Sequence, residues 1–351
     1  MKMRSLIIIV LSILMLGIAD NADAQRSNKY KKRRQTNKKI SNYKGGSRGY
    51  GRFRPYMFIG AQINAGNYFG DLAPVNKSAS TDVSFTRPGI GFHGGYKFHH
   101  SAAIRAEFNF VRVSADDFSS DPTDESSFPR YNRNLSFRND IKELQIGVEI
   151  SLLPNYGGVD QRLPLNAYLF VGGAVFLHEP QGKVPDFDYQ TDQTGGTPAP
   201  QAGEWVKLRP LQTEGQDYNN LEFSIPIAIG ATMRLPGTNL NASLEFGFRY
   251  LFTDYIDDVS TTYVGLDQFT DPVARILSDR SAEATSFKGE ARDLSTLSIN
   301  QTNGFFHDGN NGAGLQGSVR GNPDNNDMMF VTQLKVRYFL STAPKRSAKF
   351  R

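Results

Sequence analysis

Long stretches of this chain alternate apolar and polar side chains. In residues 221–235, every odd position carries an apolar side chain, while the even positions include Glu222 and Arg234. A period of two is the pattern of a β-strand with one apolar face and one polar face. Globular strands average about five or six residues. A face of this length therefore predicts a strand that crosses a membrane rather than one that covers a soluble core.

Seven further segments show the same alternation, four of them clearly and three more weakly. The eight predicted strands are 56–66, 88–98, 101–113, 141–153, 167–177, 221–235, 240–252 and 328–340. The connections that follow them alternate between long and short segments. The long ones are 67–87, 114–140, 178–220 and 253–327, and the short ones are 99–101, 154–166 and 236–239. This alternation of long and short connections predicts an all-β fold, an eight-stranded antiparallel transmembrane β-barrel at residues 55–340 with long extracellular loops and periplasmic termini.

The polar faces of these strands predict a charged barrel interior. Eight strands leave a lumen just wide enough for side chains. The charged residues predicted to point inward are Lys97, Arg105, Glu107, Glu143, Glu149, Glu222, Arg234, Glu245, Arg249, Lys335 and Arg337. Five acids and six bases nearly cancel, as a paired buried network requires. We therefore expect a plugged lumen rather than a pore. A soluble eight-stranded β-sandwich is the alternative, and it would have to bury Glu and Arg or expose rows of Phe and Leu.

The composition agrees with a β-architecture. The chain contains 25 Phe, 15 Tyr and 33 Gly but no Cys, which excludes a disulfide framework and a lipid attached to Cys. Its mean hydropathy of -0.44 is that of a soluble protein. Since the polar lumen and loops of a membrane barrel dilute its apolar face, this value does not exclude such a barrel.

The amino terminus predicts export. Lys2 and Arg4 precede an apolar segment at 6–18, and Ala24 ends an A-x-A-like site before Gln25. An apolar segment of this length falls short of the roughly 20 residues that span a bilayer as a helix. Residues 1–24 are therefore predicted to be a signal peptide that is cleaved between Ala24 and Gln25. The mature protein is expected in the outer membrane.

A basic segment follows the signal peptide. Residues 26–54 contain 12 Lys or Arg and no acid, whereas residues 55–351 hold 26 basic and 33 acidic residues. Blocks of like charge are typical of disordered interaction tails, so 25–54 is predicted to be a disordered periplasmic arm. Export makes nucleic acid an unexpected partner. The arm is interpreted either as a tether to an anionic partner or as a purely solubilising tail. A tail at 341–351 follows the last strand.

Clustered acids occur where the seventh predicted strand ends. Asp254, Asp257 and Asp258 lie within five residues. Carboxylates at a strand end can hold Ca²⁺, which prefers oxygen ligands. The alternative is a turn in which Asp side chains accept hydrogen bonds from backbone donors. The spacing matches no EF-hand loop.

Enzymatic chemistry finds little support in the sequence. His178 and His307 are the histidines expected near the outer rim, and the chain contains no GxSxG and no HExxH motif. We therefore predict no catalytic residues, no cofactor and no enzyme. A membrane-embedded hydrolase that uses these two histidines is retained as the weakest alternative.

Four segments resemble a known family. They are NYFGDLAP (67–74), LSFRNDIKEL (135–144), LRPLQTEGQDY (208–218) and RYLFTDYIDDVSTTYV (249–264). Together they resemble the small outer-membrane barrels of Bacteroidetes that include PorG of the type IX secretion system. The resemblance implies a role in protein transport and gliding motility, with the periplasmic ring lipoprotein of that machinery as partner. A standalone barrel whose long loops bind an external ligand or surface is the alternative.

The last predicted strand suggests how the chain is inserted. Its sequence VTQLKVRYFL resembles the aromatic-ended signal that the barrel-assembly machinery recognises. That machinery is the partner expected during biogenesis, and outer-membrane lipid is the environment expected afterwards.

Overall fold

The computed structural model describes residues 53–72, 87–120, 127–156, 158–159, 162–191, 196–292, 298–300, 305–307 and 316–340. The predicted signal peptide, its cleavage site at Ala24 and Gln25, most of the predicted basic arm and the tail at 341–351 lie outside the described residues.

The described residues form twelve strands, eight of which close into a barrel. The strands are β1 Tyr56–Phe69, β2 Arg87–Lys97, β3 Ala102–Asp116, β4 Ser136–Ser151, β5 Leu165–Leu177, β6 Pro180–Lys183, β7 Trp205–Lys207, β8 Leu221–Arg234, β9 Leu240–Leu251, β10 Ser298–Asn300, β11 Phe305–His307 and β12 Met328–Leu340. The barrel order is β1–β2–β3–β4–β5–β8–β9–β12, and β12 pairs back onto β1. All eight pairings are antiparallel. The predicted all-β fold, a closed antiparallel barrel of eight strands, is confirmed.

Alternation along each strand sorts side chains between the two faces of the wall. On β1, Ile63 is 59% exposed on the outside, whereas its neighbour Asn64 is 4% exposed and points inward. Closure of the sheet gives every strand two hydrogen-bonded neighbours, which removes the free edges of an open sheet. The wall therefore presents apolar side chains outward and polar side chains to the lumen.

The two ends of the barrel differ in their connections. One end carries the short turns between β2 and β3, β4 and β5, and β8 and β9, and it is called the short-turn end here. Tyr56 begins β1 and Leu340 ends β12 at this same end, where Met57 pairs with Leu340. The opposite end carries the four long connections and is called the long-loop end.

The β3–β4 hairpin extends further toward the long-loop end than the sequence pattern predicts. Its ladder runs from Ala102 opposite Ile150 to Asp116 opposite Ser136, whereas the pattern started the fourth strand at 141. Charged side chains at Arg138 and Asp140 interrupt the apolar alternation there. Backbone pairing continues through these residues all the same.

The long connections contain small structured elements. β6 pairs with β4 and β7 with β6, which extends the wall beyond β4. Two short helices, α1 Phe128–Arg133 and α2 Pro272–Ser278, lie in the same region. The Asp271 side chain accepts a hydrogen bond from the Val273 N–H at 2.8 Å and so caps α2. No helix among the described residues is both long and apolar enough to span a bilayer.

Two apolar layers lie inside the barrel, one toward each end. The larger layer, near the long-loop end, consists of Tyr68, Leu72, Val111, Val113, Ala115, Leu135, Phe137, Ile141, Phe176, Leu251, Ile256, Val259, Met329 and Val331. The smaller one, near the short-turn end, consists of Tyr56, Phe58, Ala103, Val159 and Phe339. Charged side chains occupy the lumen between the two layers.

Candidate functional site

A charged network fills the middle of the lumen, and Arg105 is its centre. This side chain is 0% exposed. Its guanidinium lies 2.7 Å from carboxylate oxygens of Glu107 and Glu149 and 3.0 Å from Glu245. The ring of Phe170 packs 3.9 Å from the guanidinium carbon, a cation–π distance. Three carboxylates from three strands thus surround one buried cation.

Two cations of β12 extend this network. Lys335 ion-pairs with Glu107 and lies 3.0 Å from Glu245. Arg337 donates two hydrogen bonds to Glu149, at 2.8 and 2.6 Å. Two parallel bonds between a guanidinium and a carboxylate fix the relative orientation of the groups. The network therefore ties β3, β4, β9 and β12 together across the lumen.

The structure brings nine of the eleven predicted lumen charges into the buried interior. They are Lys97, Arg105, Glu107, Glu143, Glu149, Glu245, Arg249, Lys335 and Arg337. Glu222 and Arg234 are only half-buried, because they lie at opposite ends of β8. The network therefore holds five cations and four anions.

Neutral polar side chains complete the network, and the sequence analysis did not select them. Asn109 donates to Glu143 at 3.0 Å, Gln62 donates to Glu107 at 3.2 Å, and the Tyr168 hydroxyl donates to Glu245 at 2.7 Å. All three residues lie at inward positions of their strands, so the alternation that predicted the charged lumen residues could have predicted these as well. A cavity of about 40 Å³ remains beside Lys97 and Glu149, room for about one water molecule.

The outer surface of the wall is apolar around the barrel, apart from charged side chains on the β3–β4 hairpin. Exposed side chains include Ile146 and Ile229, both 62% exposed, and Phe248, 58% exposed. Tyr96 and Tyr338 lie toward the short-turn end, and aromatic residues also occur toward the long-loop end. Such a belt flanked by aromatic side chains is typical of membrane-spanning barrels.

A hydrogen-bonded cap closes the lumen at the long-loop end. The Tyr68 hydroxyl lies 2.7 Å from Asp257 and 2.6 Å from Asp327. Asp257 also accepts from the Val259 N–H at 3.0 Å, and Asp327 from the Ile256 N–H at 3.0 Å. One phenolic proton cannot serve two ionised carboxylates, so this arrangement favours a proton on one of the acids.

A second part of the cap is built around Arg320. Its guanidinium donates to Glu214 at 2.9 Å and to the carbonyl of Asp258 at 2.6 Å. Glu214 in turn accepts the N–H groups of Ser260 and Thr261, both at 3.0 Å. This buried arginine therefore holds three loop segments in one arrangement.

The carboxyl groups of the cap have raised pKa values. Burial, followed by the charge of Asp327, raises the pKa of Asp254 to about 9. Burial raises the pKa of Asp327 to about 8 and that of Asp258 to about 6. The pKa of Asp257 is also raised by burial and by the Asp327 charge. Asp254 and Asp327 are thus acids that hold their protons at neutral pH, because their pKa values lie above 7.

Comparisons with known proteins give one family and several structural similarities. Residues 56–196 match a family described as "Domain of unknown function (DUF6089)". A comparison with curated proteins gives no match.

Solved structures similar to this chain include outer-membrane and surface proteins at low identity. Ail of Yersinia pestis, solved with the heparin analogue sucrose octasulfate, is 7% identical with a TM-score of 0.30, over 82% of this chain and 97% of that chain. Neisserial surface protein A is 10% identical with a TM-score of 0.30, over 80% and 96%. A major outer membrane protein from Thermus thermophilus is 10% identical with a TM-score of 0.32, over 81% and 99%. The strand pairing of this chain itself establishes its barrel.

Two of the three metal candidates, Asp257 and Asp258, accept hydrogen bonds in the cap, and the third, Asp254, is also buried there. Asp257 accepts from Tyr68 and Val259, and Asp258 accepts from Thr213 and, at 2.6 Å, from Tyr218. Within the described ranges, no group of three or more His, Cys, Asp or Glu side chains is arranged to hold a metal ion. The Val259 N–H matches in part the alternative of a turn whose Asp side chains accept hydrogen bonds from backbone donors. The other three donors named here are side-chain hydroxyls of more distant segments.

The two candidate catalytic histidines are not brought into a described site. His178 is 2% exposed and stacks against Tyr218, with ring centroids 6.1 Å apart. Burial lowers the pKa of His178 to about 4. Among the residues the structure describes, no hydroxyl or carboxylate is hydrogen-bonded to its imidazole. His307 lies in β11, and its side chain is outside the described part of the chain.

Proposed function

We propose that this protein is a plugged outer-membrane barrel that acts, without enzymatic activity, as a PorG-like anchor for the periplasmic ring of a type IX secretion and gliding machinery. The membrane location is supported by the distribution of polarity, which is the reverse of that in a soluble protein: apolar side chains lie outside and charged side chains inside. Ile146 and Ile229 are exposed on the outer wall, while Arg105 and Lys335 are fully buried inside. In water this arrangement would expose large apolar surface around the whole wall, whereas lipid covers it.

The short-turn end is the proposed periplasmic end, because short turns face the periplasm in bacterial outer-membrane barrels. β1 begins there at Tyr56 and β12 ends there at Leu340. The basic segment before residue 55 and the tail after Leu340 would then both leave the barrel on the periplasmic side. A cationic arm at this position suits an acidic surface of a periplasmic partner.

An exposed apolar surface at the same end supports a docking role. Leu152 is 75% exposed, Leu153 is 51% exposed and Tyr156 is 54% exposed. The Tyr156 ring stacks on His100 with centroids 4.8 Å apart, which holds the turn surface in shape. Exposed apolar side chains at this end would fit a protein partner that offers an apolar surface.

The four segments that carry the resemblance to the PorG-containing family meet in the fold. Tyr68, from the segment 67–74, donates a hydrogen bond to Asp257 of the segment 249–264. Thr213, from the segment 208–218, donates one to the neighbouring Asp258. Asn139, from the fourth, donates to the carbonyl of Ile256 at 2.8 Å. Four segments far apart in the chain thus meet in one cap, as expected of parts that belong to one structural unit.

Site-specific crosslinking tests the anchor role. A photo-crosslinking residue in place of Tyr156 should capture a periplasmic ring lipoprotein in intact cells, and deletion of residues 26–54 should reduce the yield. The matched control is the same residue in place of Asn322, at the long-loop end. Capture only from position 322, or no capture from position 156, would contradict the periplasmic anchor.

A standalone barrel that binds an external ligand is the second candidate, and the ordered cap favours it. Arg320 and Glu214 hold the loops in a defined shape, which suits a binding surface at the long-loop end. Capture of a cell-surface or external molecule from position 322 alone would select this candidate. The hydrolase alternative predicts loss of an activity on His178→Ala, and an unchanged phenotype would count against it.

A further inference from the structure

We propose that the outer face of the β3–β4 hairpin binds a bisphosphorylated glycolipid of the outer leaflet. The site consists of the basic patch, defined here as Arg112, Arg138, Asp140 and Lys142, and of the groove beside it. This inference rests on the proposed membrane location and orientation, in which the long-loop end faces outward. No part of the barrel's lumen or cap takes part in it.

The basic patch is the exception on an otherwise apolar wall. Among the described residues of the eight barrel strands, these four are the charged ones with outward parity; Arg112, Asp140 and Lys142 are exposed, and Arg138 is half-buried. The outward residues at the same end of the opposite wall are Phe223, Phe248, Tyr250, Phe252, Met328 and Phe330, all uncharged. A charged side chain facing hydrocarbon is costly, so three cations in this place call for an anionic neighbour.

The patch lies at the height of a lipid headgroup. After Lys142 the outward residues along β4 and on to Leu152 are all apolar, including Leu144, Ile146 and Val148. At about 3.3 Å per residue and a tilt of about 40°, this stretch covers about 25 Å along the membrane normal. That is the height of the apolar band of an outer-membrane barrel. Lys142 therefore marks one boundary of the hydrocarbon layer.

The patch retains unbalanced positive charge. Arg112 is paired with Asp140, to which its guanidinium donates two hydrogen bonds. Arg138 bonds the neutral amide oxygen of Gln181 at 2.7 and 3.2 Å and stacks 4.1 Å from the ring of Trp205. Lys142 makes no hydrogen bond or ion pair within the described residues. Asp140 lies between these two cations on β4 but is already paired with Arg112, so the patch holds three cations against one carboxylate.

The spacing of these two cations indicates the kind of anion. Arg138 and Lys142 are four residues apart on one strand face, or roughly 13 Å. A single phosphate placed midway between them would face the Asp140 carboxylate, which lies between the two cations on the same strand face. A disaccharide headgroup with a phosphate at each end can reach both, and charge-assisted bonds from Arg and Lys are the usual contacts of phosphate oxygens.

An apolar groove next to the patch provides a place for the acyl chains. It encloses about 1010 Å³ and runs between β1, β2, β3 and β4, with Arg112, Asp140 and Lys142 along its border. Ile63 and Ile90, 59% and 54% exposed, contribute apolar surface to it. Cations beside an apolar channel fit a molecule that joins phosphate to hydrocarbon.

Lipid binding to the purified full-length protein in detergent tests the proposal. The probes are bisphosphorylated lipid A, its dephosphorylated form and phosphatidylglycerol, with binding measured by native mass spectrometry. Bisphosphorylated lipid A should bind most tightly. The variant Arg138→Gln/Lys142→Gln should lose about tenfold or more in affinity, which corresponds to about 1.4 kcal/mol or more. The control Arg209→Gln, which removes a cation from a long connection, should bind normally.

The outcomes separate this inference from the proposed function. Equal binding of phosphatidylglycerol, or unchanged binding by the double variant, would overturn the glycolipid site while the barrel still fractionates with outer membranes. A protein that does not fractionate with outer membranes would overturn the proposed function first. The double variant should stay folded in detergent at room temperature, as the wild type does. This control shows that any loss of binding is not a loss of fold.

Discussion

The lumen and the cap both bury charged groups, but they neutralise them in different ways. In the lumen, each carboxylate contacts a cation, as Glu149 does with Arg105 and Arg337. In the cap, Asp257 and Asp327 lie against one shared hydroxyl, and neither contacts a described cation within ion-pair distance. A carboxylate held by Arg keeps its charge over the physiological pH range, whereas neighbouring acids must share protons. The lumen is therefore a permanent ionic structure, and the cap is the region whose charge changes with pH.

The two regions also differ in what they connect. The lumen network joins strands that are already paired through their backbones, so it resists collapse or expansion of the barrel. The cap joins loop segments whose only links are side chains and a few backbone bonds, such as those around Arg320. Loss of a lumen charge should therefore affect the whole barrel, and loss of a cap contact should act locally.

Removal of Glu149 should have the largest effect on stability. Glu149→Ala leaves Arg105 and Arg337 without their shared carboxylate, and an uncompensated buried charge costs about 3–5 kcal/mol. The measurement is the free energy of unfolding in urea for protein refolded into lipid vesicles. Glu204→Gln, on an exposed connection, is the control and should stay within about 0.5 kcal/mol of the wild type. A loss below about 1 kcal/mol for Glu149→Ala would show that the barrel does not need this carboxylate to keep Arg105 and Arg337 buried.

Removal of Arg320 should have a smaller and local effect. Arg320→Ala breaks the bonds to Glu214 and to the carbonyls of Asp258 and Ser278, with an expected cost of about 1.5–3 kcal/mol for the local opening of the cap. Hydrogen exchange at the Ser260 and Thr261 amides reports that opening directly. Unfolding of the barrel in urea should change little.

The matched control for the cap is Lys207→Gln. Lys207 pairs with Glu179 at 2.7 Å on the protein surface, where ion pairs contribute about 0–1 kcal/mol. If Arg320→Ala weakened the barrel as much as Glu149→Ala does, the distinction between a global lumen and a local cap would be wrong.

Rising pH should open the cap and leave the lumen intact. The pKa of Asp327 is raised to about 8 and that of Asp254 to about 9, so the folded cap binds protons more tightly than the unfolded chain. Stability from these groups is complete below about pH 4, where the unfolded carboxyls are protonated as well. It is lost progressively as pH rises, and the loss is complete once pH passes the folded pKa values of about 8 to 9. Exchange at the Ile256 amide, corrected for its intrinsic pH dependence, should therefore accelerate as pH rises toward about 9 and level off above it.

Asp327→Asn should flatten this response, because the amide cannot ionise and still offers an oxygen to the Ile256 N–H. Urea unfolding of the barrel at pH 6 and pH 9 measures the lumen in parallel. A cap whose exchange is independent of pH, with Asp327 intact, would contradict the shared-proton arrangement.

The sequence predicted the lumen far better than the cap, for a physical reason. Inward or outward position follows from parity along a strand, so Arg105 and Glu107 could be assigned to the lumen from alternation alone. The cap depends on contacts between distant segments, such as Tyr68 with Asp257, and no local pattern encodes them. The β3–β4 extension was underestimated because the pattern relied on apolar outward residues, and Arg138 and Asp140 are charged.

Parity gives the face of the wall on which a side chain lies but not its distance from the ends of the barrel. The two predicted lumen charges that are only half-buried therefore give the smallest predicted effect. Glu222 and Arg234 share the inward parity of β8, but they lie at its two ends and are half-buried. Water can reach both groups, so Glu222→Gln and Arg234→Gln should each change the urea unfolding free energy by less than about 0.5 kcal/mol. A cost for either variant similar to that of Glu149→Ala would mean that the ionic network runs the full length of the barrel. A negligible cost would confine it to the middle, between the two apolar layers that shield it from water.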